Sequence, residues 1–447
     1  MECNMVEAIR KSLRESPSAR WSALAVVSII MFCGYYFDKA SSAFKTALVA
    51  TGWTSVDFGF FKSAYGWLNV FAFMLIIGGI ILDKKGVRFT GILASLVMVF
   101  GVAICWTAFI SGFPIKTQVW VAAIGFSFFG MGVEVAGITV SKVIVKWFKG
   151  KELATAMGLQ LAGARMGTAV GLAAAMPIAL KYGVAAVAFL GMALLVAGTI
   201  AYILYCGMDK KLEASEPQVE IAKEDAFKLA DIVEILKNKG FWLIALLCLI
   251  FYSAVFPFLD YATDLMVQKY HVSLKLAGLI PALLPFGNIL LTPVFGTIYD
   301  RKGKGASIMI LGAFLLVFVH IIFAIPAFSH WTVAVGAMLL LGVAFSLVPS
   351  AMWPSVPKLI PEKQLGTAYS MIFYIQNIGL MGVPYLIGWV LDRYCRLPNV
   401  DGKVAYNYTL PMLIFLSFSV IAVGVAFMLK ADDRKKGYGL EMPNIKR

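Results

Sequence analysis

Twelve predominantly apolar stretches run through this chain, at 21–45, 62–82, 89–111, 118–141, 153–180, 184–206, 241–268, 276–299, 306–328, 331–357, 364–391 and 408–430. Each is long enough for one helical crossing of a bilayer, which takes about 20 residues. In hydrocarbon every backbone N–H and C=O must be satisfied within the crossing segment, so apolar runs of this length imply helices. The expected fold is therefore an all-α membrane protein with twelve transmembrane helices. Composition agrees, because 60% of the 447 residues are apolar and only 14% are charged, whereas soluble domains carry roughly 25% charged residues. The first stretch is too long for a removable signal peptide and lacks its small-residue cleavage site.

The net charge of +14 raises the question of nucleic acid, and the placement of the charges answers it. With the N-terminus in the cytoplasm, most of the 39 lysines and arginines fall in the tails and even-numbered loops, which is the positive-inside pattern of a membrane protein. Both termini are expected to be cytoplasmic, with the lipid bilayer as the partner and no nucleic acid. The six cysteines are scattered without a C-x-x-C pair, so neither a disulfide framework nor a metal site is indicated.

Residues 207–240 mix both signs of charge and divide the chain into an N-terminal part, 1–206, and a C-terminal part, 241–447, each with six apolar stretches. Gly79-Ile-Ile-Leu-Asp83-Lys84-Lys85-Gly86 follows the second stretch, and Gly296-Thr-Ile-Tyr-Asp300-Arg301-Lys302-Gly303 follows the eighth. "KELATA" at 151–156 is echoed by "KQLGTA" at 363–368. Parallel repeats of this kind imply two pseudo-symmetric six-helix halves with a solute site between them near the midplane. The repeated G-x-x-x-D-[RK]-x-G signal resembles the loop motif of the major facilitator superfamily. An Asp there can cap a neighbouring helix while the basic residues hold the surface, a contact that forms in one conformation and breaks in another. Asp83, Arg88, Asp300 and Arg301 are the expected gating residues at this side, the alternative being that they are polar turns.

Two charges stand at mid-bilayer depth. Arg165 lies about 21 Å from the cytoplasmic face and Glu134 about 18 Å, from the helical rise. Charge at that depth costs about 2.5–3.5 kcal/mol or more and tends to face a cavity or a partner. Either the two neutralise each other as a structural pair, or they line a cavity where the guanidinium takes a solute carboxylate by two hydrogen bonds and Glu134 takes an amine. The second reading is favoured, since a buried pair adds little stability after desolvation and the repeat equivalents, Ser346 and Asn377, are uncharged.

"WFKGKEL" followed by "GLQLAGARMG", with the glutamate 31 residues before the arginine, resembles a lysosomal dipeptide-transporter family within that superfamily. "AYGWLNV" at 64–70, "AVFPF" at 254–258 and "YIQNIGL" at 374–380 extend the similarity to both halves. The resemblance implies uniport of dipeptides, with Glu134 and Arg165 holding the charged ends of the peptide. It also allows an accessory membrane subunit, which the sequence itself does not indicate. The first twenty residues contain no acidic dileucine sorting signal, so a bacterial inner membrane or a plasma membrane is expected rather than the lysosome. Asn407-Tyr-Thr is formally a glycosylation sequon.

Tyr35, Tyr36, Tyr65, Trp67, Asn69, Gln160, Tyr252, Tyr374, Gln376 and Asn377 are further candidates to line the cavity. Asp38 and Lys39 fall about 25 Å from Trp21 by helical rise, near the outer mouth, and Asp260 and Asp264 stand at a similar height. These form an outer gate with Lys39 or Lys45, or else snorkel to the headgroups. Lys142 is expected to snorkel inward, and His320 reads as an interhelical hydrogen-bonding residue. "YFDK" at 36–39 also resembles the Tyr-x-Asp-Arg pattern of anion:cation symporters, so proton-coupled symport of organic anions or sugar acids is the competing transport reading. No nucleophile and base at a recognisable spacing, nucleotide loop or cofactor motif points to an enzyme, and no soluble signalling domain points to a sensor.

Overall fold

The structure is a computed structural model that describes residues 13–148, 152–215, 229–361, 364–400 and 403–444. Lys151 and Lys363, which open the two similar loop segments, residues 216–228 of the polar linker, and the first twelve residues lie outside the described residues.

Helix α1 (Pro17–Ala43) starts where Ser16 caps it and Pro17 occupies the first turn, a place where the missing N–H would be unsatisfied anyway. A short α2 (Lys45–Ala50) leads to α3 (Ser55–Ser63). This helix opens with a capping box, in which Asp57 N donates to Thr54 Oγ1 at 3.1 Å and Thr54 N donates to the Asp57 carboxylate at 2.9 Å. The second crossing does not continue as one helix. It tightens to a 3-10 turn at Ala64–Gly66, resumes as α4 (Trp67–Phe71), breaks at Phe73 with φ 52°, and resumes again as α5 (Met74–Ile110). Helix α5 bends at Gly86 and so carries the end of the second crossing and all of the third. Among the described residues, eleven helices are consequently long and apolar enough to span a membrane. The expected twelfth crossing is present in pieces, from Ser55 to Lys85.

The other helices are α6 (Ile115–Phe148), α7 (Leu153–Tyr182), α8 (Val184–Ser215), a short α9 (Leu229–Lys237), α10 (Lys239–Gln268), α11 (Leu279–Lys302), α12 (Gly305–Ala324), α13 (Trp331–Leu359), α14 (Leu365–Tyr394) and α15 (Thr409–Lys436). A hairpin of β1 (Arg396–Val400) and β2 (Lys403–Tyr406) joins α14 to α15. It marks one end of the bundle, and Pro17 and Lys436 mark the other. The polar segment expected at 207–240 is helical at both edges, because α8 runs on to Ser215 and α9 precedes α10. Within the first half α1 and α7 approach until backbones touch. A Cβ on Gly167 would stand 2.3 Å from Phe32 O, and one on Gly171 would stand 2.4 Å from Tyr36 O. Small residues permit such contact where lipid supplies no hydrophobic drive between helices.

The bonds that join the halves run from the hairpin end to mid-span. Asp264 receives Lys45, Asp260 receives Lys39, Asp392 receives Val56 N, and lowest of all Tyr374 Oη donates to Val70 O at 3.3 Å. Toward the termini the ion pairs described stay within one half: Arg20 with Glu152, Lys142 with Asp83, and Arg88 and Lys146 with Asp209 and Glu213. The bundle is thus closed at its hairpin end.

The two loop motifs adopt the same backbone but different contacts. Gly86 (φ 74°) and Gly303 (φ 72°) both take the left-handed region, open to glycine without a Cβ penalty. Asp83 does not cap a helix as expected; its carboxylate lies 2.6 Å from Lys142 Nζ, and that partner also holds Lys142 against snorkelling. Asp300 instead accepts from Asn444 Nδ2 at 2.8 Å. The tail after α15 folds back over this loop: Lys304 N and Gly305 N donate to Glu441 O and Leu440 O. Arg301 is exposed and forms no ion pair among the described residues. An alanine at either motif glycine costs about 1–2 kcal/mol of backbone strain. At Gly303 the new Cβ would also meet Glu441 O at 2.3 Å, whereas at Gly86 it meets nothing. Gly303→Ala should therefore lower the melting temperature of the detergent-solubilised protein by more than Gly86→Ala does, and equal shifts would contradict the tail contact.

Candidate substrate site

A cavity of about 70 Å³ lies between the halves beneath their closed end, lined by Tyr35, Asp38, Lys39, Lys62, Tyr65, Glu134, Phe256, Asp260, Gln376 and Leu380. It is small for any solute larger than a few waters, so binding of a peptide-sized molecule requires the halves to part further. Its wall is built from α1, α3, the broken turn after α3, α6, α10 and α14. Its roof is a ring of four charges, three of them buried. Lys39 Nζ lies 2.8 Å from Asp260 and 3.3 Å from Asp38, while Lys62 Nζ lies 3.1 Å from Asp38 and 3.6 Å from Asp260. Ser42 Oγ adds a hydrogen bond to Asp260 at 2.7 Å, and Ser41 Oγ accepts one from Lys62 at 3.0 Å. Lys39, Lys62 and Asp260 are each no more than 5% exposed. Lys45 pairs with Asp264 at 2.6 Å one turn farther out, where Tyr408 Oη also donates to that carboxylate.

Glu134 and Arg165 occupy neighbouring places but do not touch. The structural pair, the less favoured of the two sequence readings, is not formed: among the described residues neither charge has an ionic partner within 4 Å. Tyr65 Oη instead donates to Glu134 Oε1 at 3.0 Å. The Arg165 guanidinium lies 5.7 Å from the ring centre of Tyr35 and 5.4 Å from those of Phe256 and Phe345. These distances are those of cation–π contacts, which hold the guanidinium by its faces. Both charges are half-buried. The direct pair fails because each already has another kind of holder, a phenol for the carboxylate and three rings for the guanidinium.

The other candidates divide. Tyr35, Tyr65 and Gln376 line the cavity with Glu134, and Asp38, Lys39 and Asp260 form its roof. Asn69 and Asn377 meet across the halves at 3.4 Å, both fully buried. Tyr374 stacks on Phe73 at 5.4 Å in addition to its bond to Val70 O. Tyr252 accepts from Trp353 Nε1 at 3.2 Å and packs on Phe256 and Phe345, behind the rings that frame Arg165. Tyr36 and Trp67 lie outside the lining. Tyr36 is packed in the core, and Trp67 donates to Ser63 and packs on Phe60 and Trp120. Gln160 is buried on α7, also outside the lining. Ser346 bonds Asn288 at 2.7 Å, and His320 bonds Ser419 at 2.8 Å as an interhelical contact.

The sequence reading missed Lys62 and Phe256. Lys62 reads as the mouth of a crossing only if that crossing starts at 62. The T-x-x-D capping box at Thr54 moves the start outward and places Lys62 about 12 Å inside it. Phe256 sits in "AVFPF" without any polar atom to single it out, yet its ring contacts both Lys39, at 5.6 Å, and Arg165.

Comparison with known proteins bears on this geometry. The sequence profile of the Major Facilitator Superfamily matches residues 24–384. The "Lysosomal dipeptide transporter MFSD1" of Gallus gallus is 29% identical over 435 residues, covering 94% of this chain and 90% of that one. Its counterpart in Danio rerio is 30% identical over 339 residues, 73% of this chain and 71% of that one. Among solved structures, the nucleoside transporter NupG superposes with a TM-score of 0.66 at 15% identity, over 92% of this chain and 99% of that one. A POT family transporter in complex with a thioalcohol-conjugated peptide superposes with a TM-score of 0.71 at 13% identity, over 92% and 96%. Its fold and relatives are those of transporters rather than enzymes, and the chain is a member of the Major Facilitator Superfamily.

Proposed function

We propose that this protein moves small zwitterionic solutes, most specifically dipeptides, by uniport through alternating access. Residues 1–206 and 241–447 are the rocking halves on this reading, with residues between them as the linker. The observation that carries it is the unpaired state of Glu134 and Arg165: a carboxylate and a guanidinium at similar depth, each half-buried, held by neutral groups and free of each other. An ammonium on Glu134 and a carboxylate on Arg165 would complete both. The curated relatives named as dipeptide transporters support the same solute class. Their name places those proteins in the lysosome, which weighs against the bacterial inner membrane or plasma membrane expected from the N-terminus. With the termini cytoplasmic, the closed hairpin end is the outer one and the structure faces inward.

Uniport is supported by charge balance. Asp38, Asp260 and Glu134 stand against Lys39, Lys62 and Arg165 around the site, so the fully ionised site is neutral without a bound proton, and a zwitterion leaves it neutral. An imposed pH gradient across proteoliposomes should accordingly drive no accumulation of dipeptide above equilibrium. Accumulation that Glu134→Gln abolishes would establish the competing proton symport instead.

Counterflow of dipeptides into liposomes tests the solute class. If Arg165 takes the carboxylate, amidating the peptide's C-terminus should weaken its competition strongly in the wild type and add almost nothing in Arg165→Ala. Arg165→Lys keeps the charge and loses the two-pronged geometry, so it should bind the same peptides more weakly. Recovery of transport in Glu134→Gln combined with Arg165→Met would show that the two charges serve only structure.

The roof ring predicts a gate. Asp260→Asn leaves Lys39 and Lys62 to share Asp38 alone in the closed state, and breaking a buried pair costs up to about 3–5 kcal/mol. Labelling of a cysteine placed at Tyr35 by an external thiol reagent should speed up about tenfold or more, consistent with that range. Unchanged labelling would remove the ring from the gate.

A further inference from the structure

The buried charges that meet across the halves all have the same polarity. The first half contributes Lys39, Lys45 and Lys62, with Asp38 as their one companion, and the second half contributes Asp260 and Asp264. Asp392, which accepts Val56 N at 2.6 Å, adds another carboxylate on the second-half side. While the hairpin end is closed these charges cancel. When it opens, α10 and α14 carry the carboxylates away, leaving the first-half wall with excess positive charge and the second-half wall with excess negative charge. Lys62 and Lys39 then share only Asp38.

We propose that Lys62 and Lys39 form an outward-facing subsite for the carboxylate of the arriving solute, and that Asp260 is the internal carboxylate that fills this subsite when no solute is there. The proposal rests on the reading of the protein as a carrier of zwitterions. Three features support it. Lys62 and Lys39 border the same cavity as Glu134 and Tyr65, so the gate charges and the solute cavity are one surface. Lys62 holds its place through Asp38 and Ser41, both on its own half, so it stays positioned after Asp260 leaves. Phe256, on α10 of the second half, contacts both Lys39 and Arg165 in the closed state, so closure of the hairpin end brings the outer cations and the deeper one to the same aromatic ring. Asp264 and Asp392 of the second half offer the matching place for the solute's ammonium. A zwitterion is thereby attracted at both ends, while an anion or a cation meets one repelling wall, so the outward-facing vestibule selects for charge pattern before the deeper site is reached.

The two partners of one ion pair should act in opposite directions on binding from the hairpin side. The test is competition by L-alanyl-L-alanine and by its C-terminal amide against labelled dipeptide uptake from that side. Lys62→Met should raise the inhibition constant of the free dipeptide about tenfold, as expected for loss of a charge-assisted hydrogen bond, and that of the amide by less than about twofold on the same basis. Asp260→Asn loosens the gate, which lowers both constants alike, and also removes the competing carboxylate, so the constant for the free dipeptide should fall by more than the amide's. A lock that serves structure alone predicts the same direction for both variants, or equal changes for acid and amide; either result overturns the proposal. If Lys62→Met does not fold, the Asp260→Asn comparison decides by itself, because a raised or unchanged constant for the free dipeptide contradicts internal competition. Absence of dipeptide uptake by the wild type would overturn the carrier reading, whereas uptake with equal shifts for acid and amide would overturn only the subsite.

Discussion

Lysines buried inside a membrane-spanning bundle must be neutralised, and in this chain the neutralising carboxylates come from the opposite half. Lys39 and Lys45 find Asp260 and Asp264 across the interface, and Lys62 joins the same ring through Asp38. A charge at bilayer depth costs about 2.5–3.5 kcal/mol or more when left alone, so these pairs hold the hairpin end shut while it is dry. The ion pairs described at the opposite end lie within single halves and set no such condition on how far the halves stand apart. The bundle's one-sided opening follows from where cross-half charge is placed. Ser41, Ser42, Thr46 and Tyr408 add hydrogen bonds to the two clusters, and such bonds help buried ion pairs recover their desolvation cost.

The broken second crossing depends on the same contact region. A bulky residue at positive φ is a genuine outlier, and such strain costs about 1–3 kcal/mol. Phe73 bears it where the regular hydrogen-bond ladder stops. Tyr374 of α14 answers the interruption twice, by donating to Val70 O and by stacking on the Phe73 ring. Asn69 and Asn377 add a polar contact one turn away. Non-helical backbone is tolerated at membrane depth only where protein or a cavity covers it, and here the cover comes from the half that must move. The break also turns Tyr65 toward Glu134, with Gly130 giving room: a Cβ there would stand 2.3 Å from Tyr65 O.

The number and order of the crossings were legible because hydrocarbon thickness imposes a length on each apolar run. The repeated loop motif was legible because its glycines must adopt a backbone that other residues avoid, and both do. Glu134, Arg165 and the outer aspartates stood out through the cost of placing charge among apolar neighbours. What pairs with what was less accessible. Glu134 and Arg165 are opposite in sign and similar in depth, yet a phenol and three rings hold them instead, and aromatic residues are too common in membrane spans for those four to announce themselves. Lys62 was hidden by the interruption at Ala64–Phe73, which shortens the apolar run and makes the lysine look like its edge. The docking of Leu440 and Glu441 onto the second loop motif left no trace in periodicity, because it combines a few backbone hydrogen bonds with isolated side-chain bonds from Glu441 and Asn444.

The two charged groups of the deep site belong to one half, on α6 and α7, whereas the roof ring straddles both. Glu134 and Arg165 can therefore keep their relative positions while the halves rock, and a solute bound between them does not have to bridge the interface by ionic contact. Closure at the hairpin end is left to Lys39, Lys45, Asp260 and Asp264. On the proposed uniport reading, equal numbers of acids and bases around the site would let the empty protein return without burying net charge. That property is what passive exchange requires of its return step.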